Sequence, residues 1–314
     1  MTAERKKIAV LLASYNGEKY IAQQIESILN QDVSVPLHLF IRDDGSTDNT
    51  VSIIKVIATH DDRITLIQSE NIGGVASFFS LLKMAHELPE EYEYFSLSDQ
   101  DDVWDLDKLK IAVDMLEAND PQIPTLYGSS TRPVDQDLKP IEYKKKKFKP
   151  FDFYNTIIQI KMPGHTHVMN RALLDLVYDA DPSMIYGHDA FIVNAAKICG
   201  CLIFDDQAHA SYRQHEGNQL GTSKGGKVKW IRARLDRIKK GGGKLYAQQI
   251  EYIVERFGER LTSEQQKEID QFLRSRKSWW KRLHYILYTK LYRQDSFDTF
   301  AFKMMYLFGG YNTK

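Results

Sequence analysis

The chain has 314 residues, 43% of them hydrophobic, enough to bury a sizeable core and to form one large domain with an appendage. No run approaches the roughly 18 apolar residues of a membrane span, and the segment Met1 to Lys7 has no signal-peptide core, so a chain kept in the cytoplasm is expected. The formal charge is zero but uneven: residues 1–120 hold 22 Asp and Glu against 10 Lys and Arg, an acidic half suited to metal and ligand, and the basic remainder suits an anionic surface. The two cysteines, Cys199 and Cys201, are too few for a disulfide framework or a zinc site and read as buried packing residues.

In chain order, Ile8 to Ala13 is a continuous apolar run, the pattern of a central parallel strand covered on both faces. It stops at Ser14-Tyr15-Asn16-Gly17, and Ile21, Ile25, Ile28 and Leu29 then share one helical face. The pattern repeats: Leu37 to Ile41 runs into Asp43-Asp44-Gly45-Ser46 and a helix with Ile53, Ile54 and Ile57. Ile64 to Ile67 ends at Asn71-Ile72-Gly73-Gly74 before a helix with Phe78, Leu81, Leu82 and Ala85. The fourth unit is Tyr94 to Trp104, where an apolar strand ends in Asp99, Asp101 and Asp102, followed by a helix with Leu106, Leu109, Val113 and Leu116.

Successive strand–loop–helix units predict an α/β fold with a parallel sheet and right-handed crossovers, with ligands bound beyond the carboxyl ends of the strands. Each unit has its acidic or Gly-containing loop at that end. Carboxylates as close as Asp99, Asp101 and Asp102 raise one another's pKa unless a cation sits among them, and a hard divalent metal is the usual answer. No Gly-x-Gly-x-x-Gly follows the first strand and no P-loop is present.

The chain resembles the family 2 glycosyltransferases of the GT-A fold. Ala13-Ser14-Tyr15-Asn16 matches their first nucleotide-binding motif, Asp43-Asp44-Gly45-Ser46 the second, and Asp99-Gln100-Asp101-Asp102 the metal-binding Asp-x-Asp; the likeness covers residues 7 to about 220. The resemblance implies a Rossmann-like, mostly parallel sheet flanked by helices over residues 1–222, with a C-terminal helical appendage over 223–314. It implies a nucleotide-sugar site built from Ala13, Ser14, Tyr15, Asn16, Glu18, Asp43, Asp44, Gly73, Asp99, Gln100 and Arg213, and a magnesium or manganese ion held by Asp101 and His215. It also implies a general base at Asp189, in Tyr186-Gly187-His188-Asp189, where His188 replaces the usual Glu as in the rhamnosyltransferase-like members. The residues alone leave open that Asp189 is a helix N-cap.

Trp104, His165 and His188 are placed on the acceptor side. His165 and His167 read as neighbours on one strand face, with a hydrogen-bonding role for His165. Lys144 to Lys149 reads as a solvated loop. Lys224 to Lys244 has nine Lys and Arg against one acid, Asp236, and reads as a basic helix between glycine-rich joints; Gly217 and Gly221 fall just before it. Thr262-Ser-Glu-Gln265 supplies a capping box for the next helix. From Gln271 to Gln294 there is no acid, while Trp279, Trp280, Tyr285, Tyr288 and Tyr292 alternate with Lys and Arg, a composition suited to an anionic headgroup layer or to a homodimer contact.

The expected protein is therefore an inverting, metal-dependent glycosyltransferase, peripheral on the cytoplasmic face of the cell membrane. It would pass a sugar, best matched by L-rhamnose from dTDP-β-L-rhamnose, to a lipid-linked oligosaccharide, with no nucleic-acid partner. A UDP-sugar donor, a nucleotidyltransferase and a non-enzymatic polyanion-binding protein are the alternatives.

Overall fold

The computed structural model describes residues 6–142, 148–215 and 242–312. The four apolar runs form β1 (Lys7–Ser14), β2 (Leu37–Asp43), β3 (Ile64–Gln68) and β4 (Tyr92–Ser98). They pair in parallel in the order β3-β2-β1-β4. The first three lead into α1 (Ile21–Leu29), α2 (Thr50–Ala58) and α3 (Gly74–His86); β4 leads through the two-residue β5 (Val103–Trp104) into α4 (Lys108–Glu117). β1 is apolar throughout because both faces are covered: Ile8 to Leu12 expose nothing. Burying each large aliphatic side chain there contributes about 1.5–3 kcal/mol, so β1 is the natural centre of the sheet. Leu106, expected on the apolar face of the fourth helix, precedes α4 and is exposed.

Three further strands make the sheet mixed: β6 (Thr125–Val134), β7 (Val168–Asn170), which leads into α6 (Arg171–Val177), and β8 (Cys201–Arg213). The full order is β3-β2-β1-β4-β7-β6-β8-β5, with β7 antiparallel to β4 and β6, β8 parallel to β6, and β5 antiparallel to β8. Four residues, Asp99 to Asp102, join β4 to β5, yet three strands separate them in the sheet. A flat sheet would put those strands about 19 Å apart at about 4.8 Å per step. The connection spans at most about 18 Å when fully extended, so the sheet curls and the acidic segment crosses its rim.

The contacts divide the chain into two units. One consists of the described parts of Met1–Lys144, Lys161–Pro182 and Gly200–Asn218 and holds the whole sheet; the other consists of the described parts of Lys145–Ile160, Ser183–Cys199 and Gln219–Lys314 and is helical. The units interleave, so they do not part at residue 222: α7 (His188–Cys199) groups with the C-terminal helices rather than with the sheet. The reason is packing. Phe191 on α7 meets Tyr252 and Phe257, each with ring centroids 5.8 Å away.

The helical unit also contains α5 (Phe153–Thr156), α8 (Gly242–Phe257), α9 (Ser263–Ser275), α10 (Trp279–Tyr288) and α11 (Ser296–Leu307). The Thr262–Gln265 capping box forms as expected at the start of α9. Its core joins Phe272, Tyr285, Tyr306 and Tyr311, and buried Glu268 accepts hydrogen bonds from Tyr285 (2.7 Å) and Thr289 (2.5 Å). Gly243 is required by close approach: a Cβ there would lie 1.7 Å from the Gly310 carbonyl oxygen. Cys199 and Cys201 are free thiols and only half-buried, unlike the packing residues expected. Most of Lys144–Lys149, Gly217, Gly221 and the basic stretch from Lys224 to Gly241 lie outside the described residues. No helix among the described residues is long and apolar enough to cross a membrane.

Candidate active site

The loops beyond β1 and β2 are fastened to each other by side chains. Asp43, buried at the end of β2, accepts from Ser14 Oγ (3.1 Å), Ser46 N (2.9 Å) and Ser46 Oγ (2.5 Å). Ala13 pairs with Arg42 across the two strands. Asn16 adopts φ of 48° and accepts from Thr47 N at 2.8 Å. Glu18 accepts from the backbone and the side chain of Asn49 at 3.0 and 2.9 Å, so it ties the first loop to the start of α2. Tyr15 leaves its ring exposed, while its backbone N–H donates to Gln100 Oε1 (2.8 Å) and its carbonyl accepts from Gln100 Nε2 (3.0 Å). Gly17 makes room for that amide, since a Cβ there would stand 2.3 Å from Gln100 Oε1.

Asp44 has a different occupation. Its carboxylate pairs with buried Arg42 and accepts from Ile72 N and Gly73 N, each at 2.9 Å, which pins the β3–α3 loop; Gly73 supports this with φ of 86°. In the sequence Asp43 and Asp44 read as equivalent nucleotide-site carboxylates. The structure separates them: Asp43 stands with Ser14 and Ser46, and Asp44 is sunk in an ion pair and two backbone bonds.

The acidic segment is met by basic side chains of the protein itself. Asp101 Oδ2 lies 2.7 Å from His215 Nε2. His165 Nδ1 lies 3.3 Å from Asp102 Oδ2 and 3.4 Å from Asp99 Oδ2. Asp102 is fully buried, and its Oδ1 accepts from Arg213 N at 3.1 Å. Lys108, the first residue of α4, is also fully buried, with Nζ 3.4 Å from the Trp104 ring centroid and 3.4 Å from Ser96 Oγ. Burial pushes the Asp102 carboxyl up to about 7, against the attraction of His165. Burial and the neighbouring Asp99 charge raise Asp101 as well, opposed by His215. Burial alone would lower His165, but Asp102 and Asp99 outweigh it and raise its pKa. Burial drops Lys108 to about 7, with Asp102 acting the other way.

Asp99, Asp102 and His165 offer two carboxylate oxygens and an imidazole nitrogen, all within 4.8 Å of one another. Asp102 Oδ2 is buried yet accepts no hydrogen bond, although it is within ion-pair range of His165. A buried oxygen that accepts no hydrogen bond, beside two further donors, fits a divalent cation. The sequence placed the metal on Asp101 and His215, with Asp99 and Asp102 supporting it or contacting the donor, and put His165 on the acceptor side. The structure brings Asp101 to His215 and His165 to Asp99 and Asp102. His165 lies in a 3-10 turn (Gly164–Thr166) rather than on a strand, and His167 turns to the Met162 carbonyl (3.0 Å).

Two other candidates are built into the interior. Trp104 is almost fully buried, pairing with Ala210 through β5. Arg213 is equally buried: its guanidinium donates to the Asp101 carbonyl (2.8 Å), the Gln136 carbonyl (2.6 Å) and Gln23 Oε1 (2.6 Å), and lies 4.5 Å from the Tyr20 ring centroid. It acts as a clamp on the acidic segment.

In the helical unit, His188 opens α7 and Asp189 is its second residue. Asp189 Oδ1 accepts from Ala190 N at 2.7 Å, which differs from an N-cap bond to the second or third helical amide. The turn before it is fixed by the buried Gln249 side chain, whose Oε1 accepts from Tyr186 N (2.8 Å) and Gly187 N (3.3 Å).

The fold and its acidic rim are those of a GT-A glycosyltransferase. The PcManGT mannosyltransferase from Pyrobaculum calidifontis, solved with GDP-Man and Mn2+, shares the fold with a TM-score of 0.57 at 17% identity, covering 98% of this chain and 86% of that one. The model of glycosyl transferase family 2 matches residues 9–176. The dTDP-rhamnosyl transferase RfbG of Shigella flexneri is 32% identical over 238 residues, 73% of this chain and 80% of RfbG. WfgD of Escherichia coli, a UDP-Glc:alpha-D-GlcNAc-diphosphoundecaprenol beta-1,3-glucosyltransferase, is 32% identical over 123 residues, 39% of this chain and 45% of WfgD. The chain belongs to glycosyl transferase family 2. Asp189, Arg213 and His215 lie beyond the span matched by the family model.

Proposed function

We propose that this protein transfers L-rhamnose, with inversion, from dTDP-β-L-rhamnose to a lipid-linked oligosaccharide of a bacterial cell-surface polysaccharide, at the inner face of the cell membrane. The observation that carries the donor is the likeness to the rhamnosyl transferase RfbG over most of both chains. The acceptor class draws on WfgD, whose own acceptor is a diphosphoundecaprenol-linked sugar.

In this reading Asp99, Asp102 and His165 hold a magnesium or manganese ion, and the nitrogen in the set favours manganese. Such an ion stabilises the charge that grows on the departing nucleoside diphosphate. Asp43 and Ser14 meet the base and ribose, since a carboxylate accepts from the thymine imide and from ribose hydroxyls. The exposed Tyr15 ring stacks on the base, held in place by the Gln100 bridge. Asp189 takes the proton from the attacking acceptor hydroxyl as the new bond forms.

A UDP-sugar donor is the second reading, favoured by the WfgD likeness. A panel of nucleotide sugars separates them, scored for metal-dependent hydrolysis and thermal stabilisation. A ligand at about 100 times its Kd stabilises the folded state by roughly 2.7 kcal/mol, a readable shift. Acceptance of UDP-glucose with rejection of dTDP-rhamnose moves the assignment to the second reading. Release of pyrophosphate from a nucleotide and sugar phosphate would indicate a nucleotidyltransferase.

A further inference from the structure

The aromatic and basic residues of the C-terminal region divide into two sets. Tyr285 and Ile286 of α10 are buried on the Phe272–Tyr306 cluster, so Tyr285 is core. Tyr292 is half-buried and donates to the Pro150 carbonyl at 2.9 Å. Arg276 is buried in an ion pair with Glu251. The other set faces solvent. Trp280, Lys281, Leu287 and Tyr288 are exposed along α10, and Lys277 is exposed in the turn just before it. Trp280 is 74% exposed, Tyr288 73% and Leu287 66%, where a protein in water alone would be expected to shelter them. Phe300 on α11, which packs against α10, is 58% exposed, and Phe308, at the C-terminal cap of α11, is 77% exposed. The inward faces of both helices are already filled, so these residues are surplus to the fold.

We propose that the outward faces of α10 and α11 form a docking surface for an anionic lipid bilayer. Trp and Tyr suit the headgroup level because one end of each ring system is apolar and the other polar, while Leu and Phe enter the acyl boundary. Lys281 stands among these residues and Lys277 lies in the turn just before α10, and no acidic residue occurs between Gln271 and Gln294, so the charge complements phosphate headgroups. A second copy of the chain fits less well. A two-fold contact brings the same patch onto itself, which would set lysines against lysines with no acid among them to receive them. The surface gives physical form to the membrane-face placement proposed above. It needs neither donor nor acceptor to act, so its failure would leave glycosyl transfer untouched.

The test is sedimentation of the full chain with vesicles of phosphatidylglycerol and phosphatidylcholine, against vesicles of phosphatidylcholine alone. Binding is expected on the anionic vesicles, with a blue shift of tryptophan emission, and is expected to weaken at about 0.5 M salt. Trp280→Ser with Tyr288→Ser, and separately Lys277→Glu with Lys281→Glu, should each cut vesicle binding about tenfold or more while melting temperature and metal-dependent donor hydrolysis stay unchanged. If the aromatic variant fails to fold, the lysine variant carries the test. Wild-type vesicle binding by the folded variants, or equal binding to neutral vesicles, overturns the proposal. So does a dimer seen by light scattering that the same substitutions split into monomers.

Discussion

His165 Nδ1 stands 3.3 Å from Asp102 Oδ2, and neither side chain reaches solvent. A buried carboxyl raised to about 7 and an imidazole raised by the same contact compete with any cation for their lone pairs. Cation binding must displace those protons, and fewer remain to be displaced as pH rises. Manganese affinity should therefore strengthen from pH 6 to pH 8, as read by electron paramagnetic resonance titration. Asp102→Asn keeps the shape but removes the charge, and should weaken manganese binding about tenfold or more. An affinity flat across this range, or unchanged in the variant, would move the metal away from this cluster.

Asp189→Asn tests the base. The variant retains an acceptor for Ala190 N, so the start of α7 should survive. General base catalysis is worth roughly 100- to 10,000-fold, and transfer should fall by that much with donor affinity little changed. Near-normal transfer would make Asp189 a helix-start residue only.

Gln249 should matter through Asp189. Its carbonyl serves two half-buried backbone amides just before α7, and Gln249→Ala removes the acceptor from both, at up to about 1–3 kcal/mol for each. The expected signature is a lower kcat with KM for the donor preserved, partly restored in Gln249→Glu, which keeps the acceptor oxygens. A melting-temperature loss with kcat intact would assign Gln249 to stability alone.

Asp44 and Asp43 should behave differently. Asp44→Ala leaves the Arg42 guanidinium buried without its partner and should cost about 3–5 kcal/mol, visible in urea unfolding before any donor is added. A variant with wild-type stability and lost donor binding would return Asp44 to the nucleotide site.

The four strand–loop–helix units are legible because strands covered on both faces must be apolar throughout, as Ile8 to Leu12 are, and because their loops carry the acids and glycines of the rim. The second half of the sheet is not. β7 is three residues long, and β6 contains Gly128, Thr131, Arg132 and Pro133, so neither offers a periodic run. The place of His165 follows from long-range pairing: Ser96 of β4 lies opposite Val168 of β7, which sets the turn at 164–166 beside the acidic segment. No local pattern encodes that register. Trp104 misleads for a related reason, since two residues of β5 are invisible as a strand until β8 pairs with them. The composition of α10 grouped Tyr285 with Trp280 and Tyr288, and only its packing on Phe272 and Tyr306 sets it apart.

The interleaving of the two units sets an order of events during synthesis. The proposed base is carried by a helix whose packing partners are Tyr252 and Phe257, and whose unit is closed by bonds such as Gln294 N to Gln159 Oε1, 135 residues apart in sequence. The sheet can begin to form while the chain is still emerging, since β1 to β4 pair with one another within the first 98 residues. The helical unit must wait until residues near 294 have left the ribosome, leaving the apolar face of α7 uncovered meanwhile. A nascent chain would thus fold its parallel strands early and complete the unit that carries the proposed base last.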